Sequence, residues 1–129
     1  NDQTSANWVT HMANDDSGPD RWFVQRVAVS SVAVNTGSVT VGEPYIVRCR
    51  FDGTAINLWA NGQHVGTNGA LDVESISFSR ISLGSSLNAP EPRFMTGPIA
   101  ELLICTGSTE QQLVDYEEAL SDYYNITLT

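Results

Sequence analysis

The chain contains no lysine; all six of its cations are arginine, against fifteen aspartates and glutamates. We have no physical account of the missing lysine, but the resulting formal net charge of -9 narrows the partners. Binding nucleic acid needs clustered cations to displace counterions from phosphate. An anionic membrane surface makes the same demand, so neither partner is expected. The charge suits solubility, neutral or cationic ligands and divalent cations. No apolar run approaches membrane-spanning length, and no signal-peptide pattern is visible. The chain opens on Asn1, Asp2 and Gln3 without an initiating Met, as expected of a processed or truncated product.

Other signatures are missing too. Two cysteines and two scattered histidines do not make a zinc site. No glycine-rich phosphate loop follows a strand in a βα unit, and neither His11 nor His64 lies in a local nucleophile or metal motif. Cys49 and Cys105 each fall within an apolar strand pattern. The reading preferred is two buried thiols acting as small hydrophobes, with a disulfide the alternative, since spacing alone cannot bring their Cα atoms close enough.

What is present is a turn-rich, low-charge composition: 41% hydrophobic, 16% charged, and ten glycines in 129 residues. This fits one β-rich domain large enough for a core without staples. Residues 1–20 read as polar, ending in a loop (NDDSGPD) at 14–20. Trp22 to Val34 reads as strand, with phase slips near Gln25-Arg26 and at Ser30-Ser31 that indicate a bulge, a turn or two short strands. In residues 45–51, Tyr45, Val47, Cys49 and Phe51 alternate with Ile46, Arg48 and Arg50, giving one buried face and one carrying two cations. Asp52-Gly53 and Asn61-Gly62 are hairpin signals flanking a return strand with Ile56, Leu58 and Ala60 inward. Val65 continues the meander. Ile76, Phe78, Ile81 and Leu83 suggest further strands, and residues 84–93 a Ser/Asn/Pro loop.

The last thirty residues organise the rest. A Gly-Pro turn leads into an apolar strand at 99–105 (IAELLIC), which breaks at Thr106-Gly107 into a helix at about 109–124. Ser108 with Gln111, or Thr109 with Gln112, has capping-box spacing. Leu113, Tyr116, Leu120 and Tyr124 form one apolar stripe, with Asp115, Glu118 and Asp122 solvated.

Taken in order, Phe51-Asp52-Gly53, Leu58-Trp59-Ala60-Asn61-Gly62, Gly97-Pro98-Ile99-Ala100-Glu101, Glu117 and the Leu120-to-Ile126 tail resemble the second half of a laminin-G-like, concanavalin-A-like domain. The resemblance covers roughly residues 45–126. Tyr123 stands where that family often has Lys, and Asn125 replaces a common Gly, a mild change because Asn tolerates the left-handed conformation. The resemblance implies an all-β, antiparallel jelly-roll β-sandwich with one C-terminal helix, as a single domain over 1–129. Residues 1–44 look too short to supply every preceding strand, so another chain, another part of the precursor or a symmetry mate is expected to cover an exposed edge.

By the same resemblance the expected function is non-enzymatic recognition or adhesion, with a carbohydrate or surface ligand. Similar domains are appended to phage tail fibres, virion surface proteins and secreted bacterial proteins, which implies an extracellular or virion-surface setting. The alternative is a structural decoration or assembly module that packs against neighbouring chains of a homo-oligomer or particle. Candidate ligand-binding residues are Trp8, His11, Asn14, Trp59, Arg48 and Arg50: aromatic faces stack on pyranose rings, and the two arginines suit an acidic sugar or carboxylate. A salt-bridged sheet face is the competing reading of the arginines, and core or helix packing that of Trp59. Asp15, Asp16 and Asp20, with Asn14, form a hard-oxygen set for calcium, without EF-hand spacing. Glu101 and Glu117 are read as structural rather than as a glycosidase pair.

Overall fold

A computed structural model describes residues 7–13, 21–27, 32–35, 39–40, 42–52, 55–69, 85–86, 93–94 and 97–129. Its strands are β1 (Asn7–Ala13), β2 (Arg21–Val27), β3 (Val32–Asn35), β4 (Val47–Phe51), β5 (Ile56–Ala60), β6 (Gln63–Asn68), β7 (Ser85–Ser86) and β8 (Arg93–Phe94), followed by helix α1 (Glu110–Tyr124). They form two three-stranded antiparallel meanders, β1-β2-β3 and β4-β5-β6, and a two-stranded ladder, β7-β8. β3 runs within 8 Å (Cα–Cα) of β5 and β6, so the two meanders meet.

The Ser30-Ser31 slip falls between β2 and β3, but the one near Gln25-Arg26 lies inside β2, whose register with β1 is unbroken. Within the polar N-terminal stretch, by contrast, residues 7–13 are strand: β1 pairs with β2 along its whole length, from Asn7 opposite Val27 to Ala13 opposite Arg21. Its weak alternation hid it from sequence reasoning. The ends of the stretch read as the 84–93 loop also pair, Ser85 with Phe94 and Ser86 with Arg93. The strand signals at Ile76, Phe78, Ile81 and Leu83 lie outside the described residues.

The second meander follows its sequence in its turns and pairing, although Ile46, read on the cation face, is buried and Ala60, read inward, is half-buried. Asn61 (φ 48°) and Gly62 (φ 82°) both adopt positive φ between the paired residues Ala60 and Gln63, the geometry a two-residue hairpin of matching twist requires. At the other end the Asp52 side chain accepts the Ala55 N–H at 2.8 Å, closing the turn that returns the chain into β5. Ile56 and Leu58 are fully buried, with Val47, Cys49 and Val65 packed against them. Phe51 belongs to the same alternating row but is 44% exposed at the strand end, so the inward row stops at Cys49.

The largest departure is at 99–105. These residues form no strand, and Ile99, Leu102, Leu103 and Ile104 are all exposed, Ile104 at 64%. An apolar run of this kind also suits a strand covered on both faces, and periodicity alone cannot tell whether a covering partner exists. Cys105 is correspondingly exposed rather than buried, and both cysteines are free thiols, so no disulfide joins them.

Helix α1 begins as its capping box dictates. Thr109, not Ser108, is the N-cap: its hydroxyl accepts the Gln112 N–H, and the Gln112 side chain accepts the Thr109 N–H at 2.9 Å. At the other end Asn125 takes the left-handed conformation (φ 53°, ψ 46°), doing what glycine does at this position. Asp115, Glu118 and Asp122 are exposed as expected. The apolar stripe is less covered than the spacing suggests: Leu113, Tyr116 and Leu120 are half-buried, and Tyr124 is exposed. The buried residue of the helix is Glu117, four residues after Leu113 and three before Leu120. After the helix the chain turns back, burying Ile126, and the Thr129 N–H reaches the Asn61 carbonyl at 2.8 Å.

Candidate functional site

Strand alternation sends Arg48, Arg50, Asn57 and Trp59 to the face opposite Ile56 and Leu58. The pairing sets Arg48 beside Trp59 and Arg50 beside Asn57. The hairpin then brings His64 opposite Trp59, and a one-residue bulge at Val65 brings Thr67 opposite Asn57. Three of the six sequence-nominated ligand residues, Arg48, Arg50 and Trp59, therefore share one surface.

Helix α1 engages that surface through charge. Arg48 Nη1 donates to Glu110 Oε1 at 2.6 Å, and Arg50 Nη1 donates to Glu110 Oε2 at 2.9 Å. Arg48 Nε also stands 3.0 Å from Glu117 Oε2, an ion pair out of line for a hydrogen bond, and Glu117 Oε1 has no hydrogen-bond partner. The Arg48 guanidinium lies over the Trp59 ring, 3.8 Å from its centroid. Its side chain is only 10% exposed, so cation–π and ionic contacts act here with little water between them. The indole face nominated for stacking on a sugar is thus taken by Arg48. For Arg48 the competing sequence reading, a salt-bridged face, matches the geometry, while the Trp59 ring meets Arg48 and His64 of its own sheet.

The two glutamates of this cluster are perturbed in opposite directions. Burial pushes the Glu117 carboxyl up, and Arg48 only partly offsets it. The hydrogen bond from Arg48, helped by its charge and by Arg50, holds Glu110 below the usual carboxylate range. Folding thus favours protonated Glu117, and its charge costs stability above its folded pKa. That cost is relieved as pH falls toward its unfolded value of 4.5. Glu110 contributes stability above 4.5 and loses it as pH falls through its lowered value. The Glu117→Gln variant is therefore expected to change less in stability than wild type between pH 7 and 5, while both lose Glu110's contribution below 4.5. Urea unfolding across pH checks this; identical profiles above pH 5 would contradict it.

A polar row continues past Trp59 toward the edge of the sheet. Thr67 Oγ1 donates to Asn57 Oδ1 at 2.6 Å and lies 3.0 Å from His64 Nε2, and Asn57 Nδ2 donates to Asp52 Oδ2 at 3.3 Å. The His64 ring, tilted 55° to Trp59 with centroids 5.0 Å apart, is exposed. Sequence reasoning did not nominate His64, although the Asn61-Gly62 turn alone places it opposite Trp59.

The remaining nominated residues fall elsewhere. Positions 8 and 11, of Trp8 and His11, lie on β1 an odd number of residues apart, hence on opposite faces of that strand. Asn14, Asp15, Asp16 and Asp20 lie outside the described residues, in the segment joining the paired ends Ala13 and Arg21. Among the described residues no group of three His, Cys, Asp or Glu is placed to hold a metal ion. No described helix is long and apolar enough to cross a membrane. Glu101 is not in a strand; it is exposed and accepts a hydrogen bond from the Tyr116 hydroxyl, tying the apolar run to the helix.

The two thiols differ sharply. Burial pushes Cys49 up to about 12, so at pH 8 about one molecule in ten thousand carries the thiolate. Cys105 is exposed. Iodoacetamide on the native protein should add one carbamidomethyl group, at Cys105, with Cys49 reacting only after denaturation; peptide mass spectrometry reads the site directly.

A recess lies at the Asn61-Gly62 end of the meander. A groove of about 310 Å³ opens between the start of β4, the Asn61-Gly62 turn and the tail after α1, lined by Glu43, Tyr45, Asn61, Asn125, Ile126 and Thr127. Comparison of the chain with protein families, curated proteins and solved structures finds no match.

Proposed function

We propose that this chain is a non-enzymatic recognition module, a jelly-roll β-sandwich closed by its C-terminal helix, that binds carbohydrate or another surface ligand outside the cell or on a virion or fibre. The observation that supports this best is the row in which Thr67 joins half-buried Asn57 to exposed His64 beside Arg50, on a sheet face fixed by the α1 ion pairs. Side chains held by a rigid sheet bind with little ordering cost. Glu117 and Glu101 act as structural groups in this reading, one paired with Arg48 and the other bonded to Tyr116. Calcium, held by the 14–20 loop, would add a second contact at the far end of the β1–β2 hairpin.

A second reading, an assembly module that packs against neighbouring chains, is favoured by the exposed apolar run from Ile99 to Ile104. Glycan-array binding with and without calcium, together with light scattering, separates the two. Clear glycan binding by a particle near the chain mass of 14.0 kDa supports recognition; larger species without glycan binding support assembly.

A further inference from the structure

The groove beside the Asn61-Gly62 turn has walls set by the backbone. Asn61 exchanges two hydrogen bonds with Ile46: its N–H reaches the Ile46 carbonyl at 2.8 Å, and its Oδ1 accepts the Ile46 N–H at 2.9 Å. That second bond commits the oxygen of the amide and leaves Nδ2 as a donor. Across the groove the helix end is pinned by the Ile126 N–H on the Ser121 carbonyl at 3.0 Å and the Ser121 hydroxyl on the Ile126 carbonyl at 2.5 Å. The Tyr45 hydroxyl accepts the Thr40 N–H at 3.0 Å, which leaves its own proton to give.

The chemistry of the lining is selective. Asn61 and Tyr45 offer donors, Glu43 offers acceptors, and Asn125 and Thr127 can do both. Ile126 supplies a buried apolar patch and Tyr45 an aromatic ring. Among the described residues no cation lines the groove, and Glu43 with the overall charge of -9 disfavours an anionic ligand. A vicinal diol matches such a set because each hydroxyl both donates and accepts, while the apolar face of a pyranose matches the Tyr45–Ile126 side. The volume lies at the small end of ligand sites, enough for one or two rings.

We propose that this groove is a subsite for a neutral hexopyranose unit of a glycan, with Asn61, Asn125 and Glu43 reading its hydroxyls. This rests on the recognition reading above and locates the sugar away from the Arg48–Trp59 face. The test is a ¹⁵N-HSQC titration of the whole chain with methyl glycosides of glucose, galactose and mannose, and with sialic acid as the anionic counterpart. At least one neutral glycoside should shift the amides of Asn61, Gly62, Ile126 and Thr127 saturably, and sialic acid should not. Asn125→Gly preserves the left-handed cap, and Glu43→Gln alters an exposed side chain, so both variants should fold; each should weaken binding about threefold to tenfold. Saturable shifts confined to His64 and Thr67, or to residues 14–20, would overturn this subsite while leaving recognition intact. No response to any sugar here or on a glycan array would overturn both.

Discussion

Replacing Arg48 by Met is expected to lower stability at pH 7 by about 3–5 kcal/mol, because it leaves the Glu117 carboxylate buried without its counter-charge. Glu117 is only 5% exposed, and burial already raises its pKa with Arg48 present. With Arg48 gone, burial and the nearby Glu110 charge both push it further up. The loss should therefore shrink as pH falls and Glu117 takes a proton. Two comparisons isolate the cause. Arg50→Met removes a pair whose partners are 41% and 46% exposed, and should cost less than about 1 kcal/mol. Arg48→Met combined with Glu117→Leu should recover most of the loss, since a buried ion pair exchanged whole for apolar groups is often close to neutral. Urea unfolding of wild type, Arg48→Met, Glu117→Leu and the double variant closes the cycle, with Arg50→Met as the exposed control. Equal, small losses for Arg48 and Arg50 would mean that the helix does not shield this pair from water.

Leu58→Ala should cost about 2–5 kcal/mol, a large share of the 5–15 kcal/mol typical of a domain. Leu58 and Ile56 are fully buried with Val47, Cys49 and Val65 against them, so little can move to fill the void. Phe51→Ala makes the sharper contrast. Alternation assigns Phe51 to the same row, yet it is 44% exposed, and its truncation should cost under about 1 kcal/mol. Thermal or urea unfolding of the two variants reads the difference. A larger loss for Phe51 than for Leu58 would show that the row extends to the strand end as simple alternation has it.

These two sites show what could be read in advance. Hairpin chemistry is local, so Asn61-Gly62, the span of β5 and a helix start capped by Ser108 or Thr109 were all legible: each depends on neighbours within a few residues. The same locality made Asn125 legible as a left-handed cap. Covering a face is not local. Alternation placed Arg48 and Trp59 on one side of β4–β5 but could not say that the helix would sit there, so a salt-bridged face entered only as a competing reading and the Arg48–Trp59 contact was not foreseen. Glu117 carried a readable signal, a carboxylate at the spacing of the Leu113/Leu120 stripe, which marks a buried charge in need of a partner. The run at 99–105 carried a strand signal without a partner signal, and a strand is defined by its partner. The Val65 bulge, and with it the pairing of Thr67 with Asn57, left no trace that periodicity could detect.

That bulge has a consequence for behaviour at high concentration. Among the described ladders β6 pairs only with β5, and an outer strand of this kind offers amides and carbonyls on which a foreign chain can nucleate. The extra residue at Val65 bends this row midway and breaks its spacing, so a straight incoming segment can match only half of it at a time. Fibrillar growth seeded along this border should be frustrated from the start, and deleting Val65 would straighten the border and remove that protection.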